Sequence, residues 1–217
     1  AKAADKEAAW LRICALRLRY GPADSGAEAL RAAVGAHLAA LTRPDQNTPL
    51  PRLSGTLWAY RDLLPADARG IAAYEMLVAR LEESGIHAKA ADLLDWRRRQ
   101  LPRDIERGPL SLRIARARLL AKQPERALAA LRADAAIPFP EMIRRERQRL
   151  EAIALWQTGA KDAALALLAD LDGGPALANE MRWQAKDWRG WLSADARDPS
   201  PPGAARLLRR AVALAMT

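Results

Sequence analysis

The chain has 217 residues, half of them hydrophobic and 28% charged, which is ample apolar content for a folded core. Phenylalanine occurs once and β-branched runs are scarce, which favours helices rich in alanine and leucine over sheets. The sequence excludes an internal disulfide, because Cys14 is its only cysteine, and it contains no apolar run of about 18 residues that would predict a membrane span.

The first 64 residues predict irregular helices. Residues 3–20 form a first helix that ends at Gly21-Pro22, with Cys14 on its apolar side as a small core residue. Ser25 is expected to cap a second helix that runs to Leu41. We interpret His37, on this second helix, as a packed or half-exposed side chain rather than a ligand.

Residues 42–51 predict a loop, because Pro44, Pro49 and Pro51 punctuate a stretch that also contains Asp and Asn. A short helix at 53–64 follows. Residues 66–83 then form the first helix of a regular array.

Three sets of residues recur at an interval of 37 positions. They are Ala90, Ala127 and Ala164; Leu94, Leu131 and Leu168; and Ala91, Leu128 and Leu165. Coincident series at a single period indicate a repeating unit of two helices. Such a pair cannot bury both of its apolar faces alone, so neighbouring pairs must stack on it.

The clearest copy of the unit spans residues 141–171 and breaks at Gly159, because glycine accepts the left-handed conformation that ends a helix. Its second helix stops at Gly173-Gly174-Pro175. The copy before it, 110–131, turns at Lys122-Gln123-Pro124, and the copy at 72–94 turns at Gly85.

This unit resembles the tetratricopeptide repeat, which has glycine in the turn, alanine early in the second helix and proline at its end. Gly85, Gly159 and Pro102 match that pattern, as do the alanines spaced by 37. The aromatic and Gly-Tyr positions of the family's first helix are not filled, Lys122 replaces one turn glycine, and the period is slightly long. The resemblance implies an all-α, right-handed α-solenoid of antiparallel helix pairs, a superhelix of about 10–12 helices. A helical bundle without repeats is the alternative.

We expect one solenoid domain over residues 1–217, comprising irregular helices at 1–64, repeats at 66–175 and further helices at 176–217. Near its end, Trp183, Trp188 and Trp191 are interpreted as core of a capping repeat, with a partner-anchoring role as the alternative. Residues 204–216 predict a last helix with leucines on one side and arginines on the other. It could begin a further repeat, and the chain is expected to be a fragment of a longer protein.

The net charge of +9 is concentrated in the middle of the chain. Between Arg97 and Arg149 there are 15 Lys or Arg and 6 Asp or Glu, an excess equal to that of the whole sequence. Such a stretch could attract an acidic peptide or nucleic acid. The alternative, which we favour, is that the arginines lie on solvated helix faces, because no aromatic residues are interleaved with them for base stacking.

No catalytic, cofactor-binding or metal-binding residue is predicted. His37 and His87 are 50 positions apart without nearby cysteine, and neither a nucleophile elbow nor a glycine-rich phosphate loop occurs. The sequence therefore favours a protein that is not an enzyme.

The main hypothesis is a scaffold or adaptor module that binds a protein or peptide in a basic groove lined by the first helices of each pair. Arg113, Arg116, Arg144 and Arg147 are the predicted donors to an acidic or C-terminal carboxylate ligand. Two alternatives remain, a nucleic-acid-binding helical repeat and the superhelical part of a larger cell-wall enzyme of the soluble lytic transglycosylase kind. The sequence does not distinguish a cytoplasmic from a periplasmic location.

Overall fold

The computed structural model describes residues 2–217, with side chains at all of these positions except 2, 3 and 44. Over this range the chain is all-α: helices are joined by turns and by two short 3-10 segments, and no strand is present. The α-helices are Lys2–Tyr20 (α1), Ser25–Ala40 (α2), Leu50–Ala59 (α3), Ala68–Glu83 (α4), His87–Gln100 (α5), Arg107–Leu120 (α6), Pro124–Arg132 (α7), Glu141–Gln157 (α8), Lys161–Ala169 (α9), Gly174–Gln184 (α10), Trp188–Arg197 (α11) and Ala204–Ala215 (α12). None of these helices has the length and hydrophobicity that crossing a bilayer requires.

Two predicted boundaries near the N-terminus are corrected. The cap of α2 is Asp24 rather than Ser25, because the Asp24 carboxylate accepts a hydrogen bond from the backbone N–H of Ala27 at 2.8 Å. The predicted loop at 42–51 ends early, since α3 already begins at Leu50. Pro51 lies in the first turn of α3, where a missing N–H costs nothing.

The chain divides into two compact units, Ala1–Leu94 and Asp95–Thr217, with the boundary inside α5. In unit 1, α2 packs against α1 and α4, and α3 packs against α4. Cys14 is 5% exposed within this unit, so its predicted core position is confirmed. The predicted single domain and its subdivision are not tested by this division and stay predictions.

His37 lies in unit 1 as a half-exposed, packed side chain, in agreement with its interpretation. Its ring meets the ring of Trp10 edge to face at 5.1 Å, and its Nε2 lies 3.2 Å from a carboxylate oxygen of Glu7. These contacts give His37 a structural role between α1 and α2.

In unit 2 each helix packs against its neighbours in a regular order. α6 contacts α7 and α8; α8 contacts α7, α9 and α10; α10 contacts α9 and α11; and α11 contacts α12. Two apolar clusters fill the spaces between these helices. The first contains Leu112, Ala115, Leu119, Ala127, Leu128, Leu131, Leu150 and Ala154, and the second contains Ala152, Ala164, Leu168, Ala178 and Met181.

Four turns between consecutive helices have the same backbone conformation. Each contains one left-handed residue, namely Gly85, Lys122, Gly159 or Lys186, with φ of +72°, +58°, +91° and +56°. The N–H of the next residue donates to the carbonyl five positions earlier, as from Gln123 to Arg118 at 2.9 Å. This bond closes the Schellman motif and satisfies a carbonyl at the helix end. Lysine therefore adopts the glycine conformation at two of the four turns.

The series spaced by 37 residues has a common structural position. Ala90, Ala127 and Ala164 are each the fourth residue of their helix, five positions after the left-handed residue, and all are 0% exposed. Leu94, Leu131 and Leu168, one turn later, are also buried. A small side chain at the first position and a leucine at the second let each second helix approach its neighbours closely.

The pair α10–α11 keeps the turn but changes these two residues. Five and nine positions after Lys186 lie Trp191 and Asp195, both 3% exposed. Trp191 is therefore core, as predicted, and it meets the half-buried Trp183 edge to face at 5.5 Å. Asp195 puts a carboxylate where the other second helices have leucine, which determines how α12 docks.

Candidate binding surface on helices α6 and α8

The four arginines predicted to form one groove are not brought together. Arg116 is exposed on α6 and pairs with Glu146 of α8 at 2.5 Å. Arg144 lies only two positions from Glu146, and two positions turn an α-helix by about 200°. Arg144 therefore points away from α6, and its partner is Glu141.

Arg147 lies inside the fold rather than on a groove. Its guanidinium donates to the Ser111 hydroxyl at 2.6 Å and to the backbone carbonyl of Leu131, and it lies over the Phe139 ring at 4.7 Å. Burial lowers the pKa of Arg147 from its usual value. A sequence signal for this position exists, because Arg147 falls in the apolar stripe of Ile143, Leu150 and Ala154 at helical spacing.

A buried ion cluster accounts for two more arginines of the basic stretch. Asp134, 2% exposed, accepts hydrogen bonds from Arg98 at 2.8 Å and from Arg107 at 3.4 Å. Arg98 also donates to Asp95 at 2.7 Å, and Arg107 donates to the backbone carbonyl of Pro102 at 2.7 Å. Burial acts to lower the pKa of Arg98, but the hydrogen bonds to Asp134 and Asp95 outweigh it and raise that pKa.

A cavity of about 260 Å³ lies beside this cluster and is lined by Asp95, Arg98, Arg118 and Arg126 among others. Arg98 is already hydrogen-bonded to two carboxylates, and Arg118 donates to the side-chain oxygen of Gln123 at 2.9 Å. The most buried cations of the cavity therefore already have hydrogen-bond partners within the protein, and this disfavours the cavity as a ligand site. Among the side chains described, no group of three His, Cys, Asp or Glu converges as a metal site.

Four further arginines of the basic stretch, Arg113, Arg116, Arg145 and Arg149, define a basic surface, which we call the α6–α8 face. On α6 its outward residues are Pro109, Arg113, Arg116 and Leu120, and on α8 they are Met142, Arg145, Glu146 and Arg149. On α6 successive members are three or four positions apart, so they share one side of the helix. On α8 Met142 and Arg145 are three positions apart, as are Glu146 and Arg149, and the four together cover an arc of about 100°. The Arg116–Glu146 ion pair joins the two rows.

The ion pairs on the α6–α8 face are exposed and exchangeable. The side chains of Arg116 and Arg145 are 55% and 53% exposed, and Arg145 pairs with Glu141 at 2.7 Å. The hydrogen bond from Arg145 is the main cause of a lowered pKa at Glu141, so that carboxylate is ionised at neutral pH. Exposed pairs of this kind contribute about 0–1 kcal/mol, so a ligand carboxylate can replace the resident glutamate at little cost.

Large apolar side chains flank these charges. Met142 is 78% exposed on α8 and Leu120 is 62% exposed on α6. A surface that presents several guanidiniums between exposed apolar groups can bind a segment carrying both carboxylates and apolar side chains. Its outward residues include no aromatic ring for base stacking.

Comparisons with known proteins identify no relative of this chain. No protein-family model, no curated protein and no solved structure matches it.

Proposed function

We propose that the chain is a non-catalytic interaction module that binds an acidic segment of a protein partner on the α6–α8 face. The observation that carries this proposal is the Arg116–Glu146 contact, which joins two arginine-bearing helices into one exposed surface. Arg113 and Arg149 lie on the same sides of α6 and α8 as Arg116 and Arg145, and a ligand carboxylate would be held by charge-assisted hydrogen bonds. Arg144 and Arg147 have no part in this binding.

We also propose that the helix pairs of unit 2 stack as a tetratricopeptide-like, right-handed solenoid of antiparallel pairs. The repeated Schellman turn supports this arrangement, as do long-range hydrogen bonds between residues 36 positions apart, from Arg98 to Asp134 and from Arg147 to Ser111. In such a stack the first helices of successive pairs are neighbours, which is the relation between α6 and α8.

A fluorescence-anisotropy titration tests the binding proposal. The probe is a labelled peptide of alternating glutamate and leucine, and the reference probe has lysine in place of glutamate. We expect only the acidic peptide to bind, and we expect the affinity to fall as salt rises, because exposed charges are screened. Single-stranded RNA should bind only weakly and only at low salt, because the α6–α8 face lacks stacking side chains and phosphate contacts are screened.

A matched pair of double variants locates the site. Arg116→Ala with Arg145→Ala removes two exposed cations of the α6–α8 face, and we expect binding to weaken at least tenfold. Arg126→Ala with Arg189→Ala removes two exposed arginines of α7 and α11 and should leave binding unchanged. Equal weakening by both double variants would show a general charge effect and would remove the assignment to this face.

A further inference from the structure

The last helix is docked with its charged side inward. Arg206 and Arg210 both donate to the buried Asp195 carboxylate, the latter at 2.6 Å, and Arg209 donates to Glu180 at 2.8 Å. The Arg209 guanidinium also lies 5.1 Å from the centre of the Trp183 ring. These three arginines are the only charged residues of α12, and all of them are paired with α10 or α11.

The opposite side of α12 is apolar and exposed. We call it the α12 face, and it comprises Ala204, Leu207, Leu208, Ala211, Val212, Leu214 and Ala215. Leu208 and Leu214 are 68% and 62% exposed, and Leu207 is 49% exposed. No described residue covers this side of α12, so its large apolar side chains are exposed to water.

We propose that the α12 face binds the α12 face of a second copy of this chain in a two-fold symmetric dimer. Charge is the first argument, because a protein of net charge +9 resists self-association wherever its cations meet. The α12 face contains no charged side chain, because the three arginines of helix α12 lie on its other side and pair with Asp195 and Glu180. Two identical neutral surfaces can therefore meet in an isologous contact without charge repulsion.

The area of the face is the second argument. Leu207, Leu208, Val212 and Leu214 are all at least 39% exposed, and the three alanines of the face are exposed beside them. At roughly 100 Å² for each large side chain and roughly 35 Å² for each alanine, they supply about 500 Å² per protomer. Two such faces bury about 1,000 Å², which reaches the size at which a specific interface is expected to hold. The dimer should accordingly dissociate at low protein concentration.

The exposed apolar stripe of α1 does not meet the same conditions. On α1, Ile13 and Leu16 are 67% and 52% exposed. Asp5, Lys6 and Arg12 lie on the same exposed side of that helix, so a contact between two copies of α1 would have to desolvate charged side chains. The α1 stripe therefore provides a matched control for the α12 face.

Light scattering and sedimentation of the complete chain over a range of concentrations test the proposal. We expect a mass rising from 23.8 kDa towards twice that value as the concentration increases. Leu208→Glu places two carboxylates in the contact and should raise the dimer dissociation constant at least 100-fold. Ile13→Glu has equal exposure and the same change of side chain on α1, and it should leave the dimer intact; circular dichroism checks that both variants remain helical.

A cross-link tests the geometry of the dimer independently. In a Cys14→Ser background, Ala211→Cys lies near the middle of the α12 face, so mild oxidation should join two copies through that residue. A mass of one chain at every concentration would overturn the proposal, as would a dimer that Leu208→Glu does not weaken. Binding of the monomer to lipid vesicles through α12, abolished by Leu208→Glu, would also overturn it, because the face would then have a different occupant.

Discussion

Asp134→Ala is the change that most directly measures what the buried ion cluster contributes to stability. The Asp134 side chain is 1% exposed, and its two oxygens accept from Arg98 and Arg107, which are 9% and 10% exposed. Removing the carboxylate leaves both guanidiniums without this counter-charge in a site where they are at most 10% exposed. Breaking one partner of a buried ion pair costs about 3–5 kcal/mol of unfolding free energy.

The partners that remain place the expected loss near the lower end of that range. Arg98 keeps its hydrogen bond to Asp95, and Arg107 keeps the carbonyl of Pro102. We therefore expect a loss of about 3 kcal/mol, which corresponds to a fall of about 6–12 °C in the melting temperature of a chain of this size. Urea titration followed by circular dichroism measures the first quantity, and a thermal scan measures the second.

Two further variants decide whether the unpaired buried charge causes the loss of stability in Asp134→Ala. Asp134→Leu combined with Arg98→Met and Arg107→Met removes every member of the buried cluster, so it should be less destabilising than Asp134→Ala alone. Asp170→Ala removes an exposed aspartate of unit 2 and should change stability by no more than about 0.5 kcal/mol. If Asp134→Ala were no worse than Asp170→Ala, the cluster would not stabilise the fold and the reasoning would be wrong.

Three other predictions follow from local geometry. Lys122→Gly should raise the unfolding free energy by about 0.5–1 kcal/mol, because Lys122 has a φ of +58° and the left-handed conformation strains residues other than glycine. Urea titration measures this change, and a loss of stability would contradict the prediction. Burial raises the pKa of Asp195, but hydrogen bonds from Arg206 and Arg210 outweigh it and hold the pKa below the ordinary 3.8. Their stabilisation is therefore complete above pH 3.8 and is lost as pH falls through the lower folded value, where the protection of α12 amides relative to their intrinsic exchange rate should fall. If Asp195→Asn did not lower this protection at neutral pH, the assignment would be refuted. Burial raises the pKa of the Cys14 thiol, so Ellman's reagent should label it slowly in the folded chain and rapidly in urea, and equal rates would refute a buried thiol.

The sequence was most informative about the second helix of each pair. The alanines at 90, 127 and 164 were predicted from spacing alone, and each is fully buried at the same place in its helix. The position of the turn at Lys122 is also predicted. Because lysine stands there instead of glycine, the sequence does not show that this turn has the same left-handed conformation as the turn at Gly159. Backbone hydrogen bonds hold that conformation, so residue identity is a weak guide to it.

The candidate site was predicted less well, because charge counts do not say which side of a helix a residue occupies. The sequence predicts Arg147 at the surface, but its guanidinium is buried. It donates to the Ser111 hydroxyl and lies over the Phe139 ring, and Ser111 is distant from it in the sequence. The orientation of α12 was equally hidden, since leucines normally face the core. The orientation of α12 depends on Asp195. Asp195 lies nine positions after the left-handed residue of its turn, as Leu94, Leu131 and Leu168 do, and only this correspondence shows that a carboxylate replaces a leucine there.

The shared turn also bears on how a chain of this kind can change its length. Each of these turns is formed by local backbone hydrogen bonds and one left-handed residue, and these bonds involve no residue outside the turn and the helix end before it. In the proposed stack of helix pairs, one pair can therefore be inserted, duplicated or deleted with adjustment confined to the surfaces that come into contact. Growth by whole pairs is a smaller evolutionary step for such a protein than the redesign of any single joint.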